Sequence, residues 1–211
     1  MALTLAGCGN SKIEIKQSVF IGCARRITSP EDASSFIAEQ RALYPDARHS
    51  CYAWVLKGNV NMSKYSDDGE PSGTAGMPLL NILESKDLTD SAVVVTRYFG
   101  GILLGKGGLV RAYTEAGVAA LADSDPVEVA QGKVFTVTLD YPDYDRFLFE
   151  CNKRGYSAKD SRFGDKVEID IITELSSEEA FLAFAADITA GRALISENGT
   201  EELIKKHLEL F

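Results

Sequence analysis

The run Ser91–Tyr98, SAVVVTRY, limits the folds open to this chain more than any other stretch. Its apolar residues are consecutive rather than alternating, so a strand here must be buried on both faces. That requires packed layers on either side of its sheet. Glycine-rich segments flank the run: eight of the 18 glycines fall in Gly69–Gly76 and Gly100–Gly108. Each segment leads into a helical pattern, Met77–Glu84 with Leu79, Leu80, Ile82 and Leu83 on its buried side, and Leu109–Ala122 built on small residues.

The remaining elements follow from local signals. Lys12–Arg25 alternates loosely and predicts one or two strands. Ser29-Pro30-Glu31-Asp32 is a helix start, with a Ser cap, Pro at the first position and acids in the first turn. Ala33, Phe36, Ile37 and Tyr44 supply that helix's apolar face, and Pro45 ends it. Ser50–Leu56 predicts a strand, Lys57-Gly58-Asn59 a turn, and Asn61–Tyr65 the returning strand. Asp123–Gln131 interrupts the pattern and is expected as an exposed linker. Beyond it come strand Lys133–Leu139, helix Tyr144–Arg154, strands Tyr156–Ser161 and Lys166–Thr173, and helix Ser177–Ala190. This βαββα order is most of a ferredoxin-like unit. A last helix is expected over Glu201–Leu210. The fold class is therefore α+β with two domains, 1–131 and 132–211.

The formal charge of −9 argues against a broad electrostatic grip on nucleic acid. The charge is uneven: residues 1–131 carry 12 basic and 15 acidic side chains, residues 132–211 carry 10 and 16. An anion site must be a local patch, expected in the first domain. No apolar run is long enough to span a membrane. The four cysteines, Cys8, Cys23, Cys51 and Cys151, form no Cys-x-x-Cys pair, and with two histidines no structural zinc site is expected. Scattered cysteines in a chain of this size suit a reducing cytoplasm. Leu5–Cys8 spells a lipoprotein box without a basic or apolar leader before it, so a frayed N-terminus is expected instead.

Chemistry concentrates in the glycine-rich segments. A glycine-rich loop leading into a helix presents free backbone N–H groups to an anion. Ser72, Gly73 and Thr74 at the first helix, and Gly107 and Gly108 at the second, are candidate anion or nucleic-acid contacts, with Arg97, Lys106 and Arg111 adding charge and Tyr98 a stacking face. Neither loop is a Walker A motif, and Gly105-x-Gly107 is no dinucleotide fingerprint. Asp67, Asp68 and Glu70 precede the first loop directly. They are solvated, brace the basic loop, hold a hard cation or act in proton transfer. His49 and Cys51, two apart on one strand face, are weaker candidates for a base and a nucleophile. No cofactor is implied, and a binding protein is favoured over an enzyme acting on a small phosphorylated or carboxylated metabolite.

The strings YSDDGEPSGTAGMPLL, VVVTRYFGGILLGKGGLVRAY and DARHSCYAWV, spanning about residues 46–113, resemble the IMPACT family in its bacterial two-domain form. The resemblance implies an N-terminal domain folded like the second domain of a small-subunit ribosomal protein. It implies a ferredoxin-like C-terminal domain similar to late domains of elongation factor G. Eukaryotic relatives regulate translation, so the resemblance implies RNA or a ribosome-associated protein as partner and a role in translation or stress response. The family motif falls on His49, Cys51, Ser66–Pro71, Gly73, Thr74, Gly76, Arg97, Tyr98, Gly100, Gly101, Gly105, Gly107, Gly108 and Arg111. Lys106 stands where many relatives have a small residue, which would strengthen an anion site. Tyr44 replaces a common His before Pro45, and Ser50 a frequent Asn.

Overall fold

The computed structural model describes residues 2–58, 61–208 and 210–211. The chain is α+β and forms two compact units. One holds Ala2–Glu128 together with Lys206–Phe211, and the other holds Val129–Lys205.

The first unit is built around the doubly buried strand. Strands β2 (Gly9–Ile15), β3 (Ser18–Arg26), β4 (His49–Leu56), β5 (Met62–Ser66) and β6 (Ser91–Tyr98) form a sheet in the order β2-β3-β6-β4-β5, with every neighbour antiparallel. On one face, Val93 and Val95 of β6 join Phe20, Cys51 and Ala53 under helices α2 (Gly76–Ser85) and α3 (Gly105–Asp123). On the other, Ala92 and Val94 meet Phe36 and Ile37 of helix α1 (Pro30–Leu43), along with Trp54 and Ile27. Helix α1 starts as the sequence predicts, Ser29 Oγ accepting the Asp32 N–H at 3.1 Å. Of the turn expected at Lys57–Asn59, Asn59 lies outside the described residues.

One open expectation is resolved in this unit and two change. Lys12–Arg25 is two strands joined by Lys16 and Gln17, both at positive φ (47° and 65°) between the paired Ile15 and Ser18. This is the two-residue hairpin geometry that normally selects Asn-Gly, so the turn carried no sequence signal. The N-terminus is not frayed: Ala2–Leu5 is strand β1, with Leu3 accepting from Thr89 N–H and Ala6 donating to Asp125 O. Helix α3 begins four residues early, taking in Gly105–Gly108. First-turn residues contribute no intrahelical N–H bond, so poor helix formers are tolerated once the rest of the helix is packed.

Strand β7 (Pro126–Leu139) occupies most of the segment expected as a linker; Pro126, Val127 and Val129 are buried. In the second unit β7 is followed by α4 (Tyr141–Lys153), β8 (Ser157–Phe163), β9 (Val167–Glu174), α5 (Glu178–Ile188) and β10 (Leu194–His207). The strands pair β7-β9-β8, with β10 also on β7. This completes the βαββαβ order of a ferredoxin-like unit. Of the expected last helix over Glu201–Leu210, residues 201–207 are instead the end of β10, and Glu209 lies outside the described residues. Its helical spacing is overridden by pairing along β7. The core packs Phe135, Phe147, Ile169 and Phe181 between sheet and helices, with Phe135 and Phe181 centroids 5.2 Å apart. No helix among the described residues is long and apolar enough to cross a membrane.

Candidate functional site

The acids of the Asp67–Glu70 segment take three different partners within the first unit. Asp67 serves helix α2. Its Oδ1 accepts the N–H groups of Ala75 and Gly76, both at 2.9 Å, and its Oδ2 accepts the Gly73 N–H at 2.8 Å. Ala75, at the cap position, has no side-chain acceptor, so a carboxylate eight residues upstream supplies the cap. A Cβ on Gly76 would lie 2.6 Å from the Ser66 carbonyl carbon, so only glycine lets the helix start close over the end of β5. Burial pushes the Asp67 carboxyl upward, but the N–H bonds from Gly73, Ala75 and Gly76 outweigh it and hold it below its ordinary range.

Asp68 braces the start of β4. Its Oδ2 accepts the Ser50 N–H at 2.7 Å and its Oδ1 pairs with Arg41 at 2.7 Å. Its carbonyl meets His49 Nδ1 at 2.8 Å.

Glu70 is buried and pairs with Arg97 Nη1 at 2.7 Å. Tyr113 OH donates to the same carboxylate oxygen at 2.9 Å. Arg97 Nη2 donates to Ser18 Oγ, which also accepts the Gly100 N–H. The guanidinium lies over the rings of Phe20 and Phe99, at 5.5 and 5.4 Å. Burial, reinforced by Cys51 and Glu70, pushes the Tyr113 hydroxyl well above its usual range, so it acts as a donor.

These contacts correct several sequence expectations. Arg97 is a buried strut joining the two glycine-rich segments, not a cation at a loop surface. Thr74 is buried, and its hydroxyl donates to Pro71 O at 2.7 Å. The Gly73 N–H is occupied by Asp67, while Ser72 is exposed. Helix α2 therefore already holds an anion, the chain's own carboxylate. Tyr98 packs edge-on against Tyr44, with centroids 6.5 Å apart. Cys51 is fully buried, its Sγ donating to Asp67 O at 3.0 Å, and burial raises its thiol pKa far from the thiolate range. With His49 bonded to Asp68, the expected nucleophile and base serve as packing and loop support.

Helix α3 differs. Leu104 at its cap position offers no side-chain acceptor, and its first turn carries no acid. Lys106, Gly107 and Arg111 are exposed. Arg111 follows Gly107 by four residues and so shares its helix face. Gly105 needs its positive φ of 69°, but Gly107 has no positive φ and a Cβ there would meet nothing within 4 Å. Phe99, Ile102 and Leu103 are exposed on the loop before this turn.

Ser18, Arg41, Ser50 and Tyr113 were not foreseen as parts of this arrangement. Tyr113 alone left a signal, as the one aromatic in a helix of small residues.

The comparisons with known proteins agree on one family. Residues 16–121 match the Impact N-terminal domain, and residues 137–192 match a domain of unknown function, DUF1949. The chain is 34% identical over 194 residues to the IMPACT family member YvyE of Bacillus subtilis, covering 92% of this chain and 89% of that protein. It is 36% identical over 187 residues to an IMPACT family member of Haemophilus influenzae, covering 86% and 89%. A crystal structure described only as that of a hypothetical protein shares 31% identity and a TM-score of 0.59, covering 92% of this chain and 95% of that one. With both domains matched in order and relatives aligned over most of its length, the chain belongs to the IMPACT family.

Proposed function

We propose that this protein is a non-enzymatic regulator linked to translation, which docks on phosphates of RNA through the first turn of helix α3. The observation that carries the reading is the contrast between the two helix starts. Helix α2 is capped by Asp67, whereas α3 has no side-chain cap and sets Lys106 and Arg111 beside an exposed glycine turn. An uncapped helix start and two exposed cations suit a phosphate. Gly107 weakens the helix without relieving any contact within the chain, which suits close approach by an external group. The resemblance over residues 46–113 supports the link to translation. The commitment of Cys51, His49 and Glu70 to packing and buried bonds favours binding over catalysis.

The test is titration with single-stranded RNA at several salt concentrations. Two side-chain contacts give a log–log salt slope of about −1.4, and Lys106→Ala with Arg111→Ala brings it close to zero. Base preference is weak, because phosphate contacts do not read sequence. The double variant keeps its stability within about 0.5 kcal/mol of the wild type. A wild type that binds no RNA at low salt, or a slope unchanged in the variant, overturns the reading.

A further inference from the structure

Cys8 and Cys23 bring their sulfur atoms to 3.7 Å of one another across the start of the β2–β3 hairpin. Both thiols are free, Cys8 exposed and Cys23 buried. We infer that this pair is a redox modification site, which closes to an intramolecular disulfide when the protein meets a hydroperoxide and reopens with a dithiol reductant.

The surrounding backbone holds the pair in place. Just before Cys8, the Gly7 N–H donates to Ser124 O at 2.9 Å. Just after it, a Cβ on Gly9 would lie 2.2 Å from Ala120 O, so the chain presses directly against the end of α3. The Asn10 N–H then donates to the Asp123 carboxylate at 2.9 Å. Asn10 stands opposite Cys23 in the β2–β3 register, and Cys8, two residues earlier, falls on the same side of the hairpin. Cys8 itself precedes the first residue of β2, so its side chain can swing through the remaining distance to a bond of about 2.05 Å. Cys51 and Cys151 are buried in separate cores.

Exposure divides the roles. The Cys8 thiolate attacks the peroxide, the O–O bond breaks, and Cys8 becomes a sulfenic acid as one water (or alcohol) leaves. The Cys23 sulfur then attacks the Cys8 sulfur, and the sulfenic oxygen departs as water with the Cys23 proton. Two thiols lose two electrons and the hydroperoxide gains them. Burial and the neighbouring Cys8 push the Cys23 thiol up to about 12, which keeps it protonated and leaves the exposed Cys8 as the first target of the oxidant.

The experiment treats the reduced, full-length protein with hydrogen peroxide, then counts thiols after denaturation and maps peptides without reductant. The wild type falls from four free thiols to two, forms no disulfide between copies, and yields one joined peptide pair containing Cys8 and Cys23. A dithiol reductant restores all four. Cys8→Ser starts with three thiols and keeps them. Cys23→Ala leaves Cys8 as a sulfenic acid that dimedone traps; should that variant not fold, the wild-type peptide map decides alone. Oxidation of Cys8 with Cys23 still free, or a bond joining two copies through Cys8, overturns the inference.

Discussion

Arg97 and Glu70 form an ion pair at 2.7 Å with only 6% and 3% of their side chains exposed. Tyr113 donates to the same Glu70 oxygen, and Ser18 meets the other side of the guanidinium. A buried pair is weak evidence for net stability, because desolvating both charges offsets their attraction. Leaving one partner alone is costly. Glu70→Ala is expected to destabilise the first unit by about 3–5 kcal/mol. Combining Glu70→Leu with Arg97→Met costs less than Glu70→Ala alone. Denaturant unfolding of Glu70→Leu, Arg97→Met and their double gives the coupling; additive losses would show that the pair does not act as a unit.

Asp67 makes helix α2 sensitive to acid. Its folded pKa is depressed by three backbone N–H bonds, so its contribution is complete above the unfolded value of ~4. That contribution is lost as pH falls through the depressed folded value. Asp67→Ala should cost about 2 kcal/mol at neutral pH, the upper end for a helix cap. Between the wild type and this variant, the stability difference should shrink steadily below pH ~4. A difference constant with pH down to acid unfolding would refute the capping role of the charge.

Lys16 and Gln17 hold positive φ without the residues that favour it. Each position costs of order 1 kcal/mol relative to a residue at ease there. Lys16→Asn with Gln17→Gly should raise stability by roughly 1 kcal/mol, since Asn-Gly matches the turn. The Gly100 loop packs on the backbone of Gln17, which the change leaves in place. Thermal unfolding checks this, and a lower midpoint would place side-chain contacts of Lys16 or Gln17 above backbone ease.

Gly107→Ala separates structure from binding by the sign of its effects. A methyl there meets nothing within 4 Å and improves the helix by up to about 0.5 kcal/mol, less than in a helix interior because Gly107 lies in the first turn. If the α3 turn contacts phosphates, the same methyl blocks close approach and weakens RNA binding. Higher stability with unchanged RNA affinity would remove the backbone of this turn from the interface.

Much of the architecture is written in local pattern. The unbroken apolar run of β6 required cover on both faces, and α1 on one side with α2 and α3 on the other supply it. Ser29-Pro30 marked the start of α1, and the spacing of Leu79, Leu80, Ile82 and Leu83 marked the buried face of α2. The second unit lost its last helix to β10, because helical spacing in 201–210 is a local preference and strand pairing is not. The segment expected as a linker became part of β7 for the same reason.

The sequence by itself determined where the glycines and acids of the site would lie and that they belong to one region. It could not determine which acid answers which donor. Asp67 reaches forward eight residues to a helix start, while Glu70 finds Arg97 and Tyr113, 27 and 43 residues away. Such choices rest on distances that exist only after β6 and α3 have packed, since a carboxylate loses its water only for partners the closed fold has already positioned. Tertiary structure thus filled the α2 cradle with Asp67, buried Arg97 against Glu70, and left the first turn of α3 uncapped.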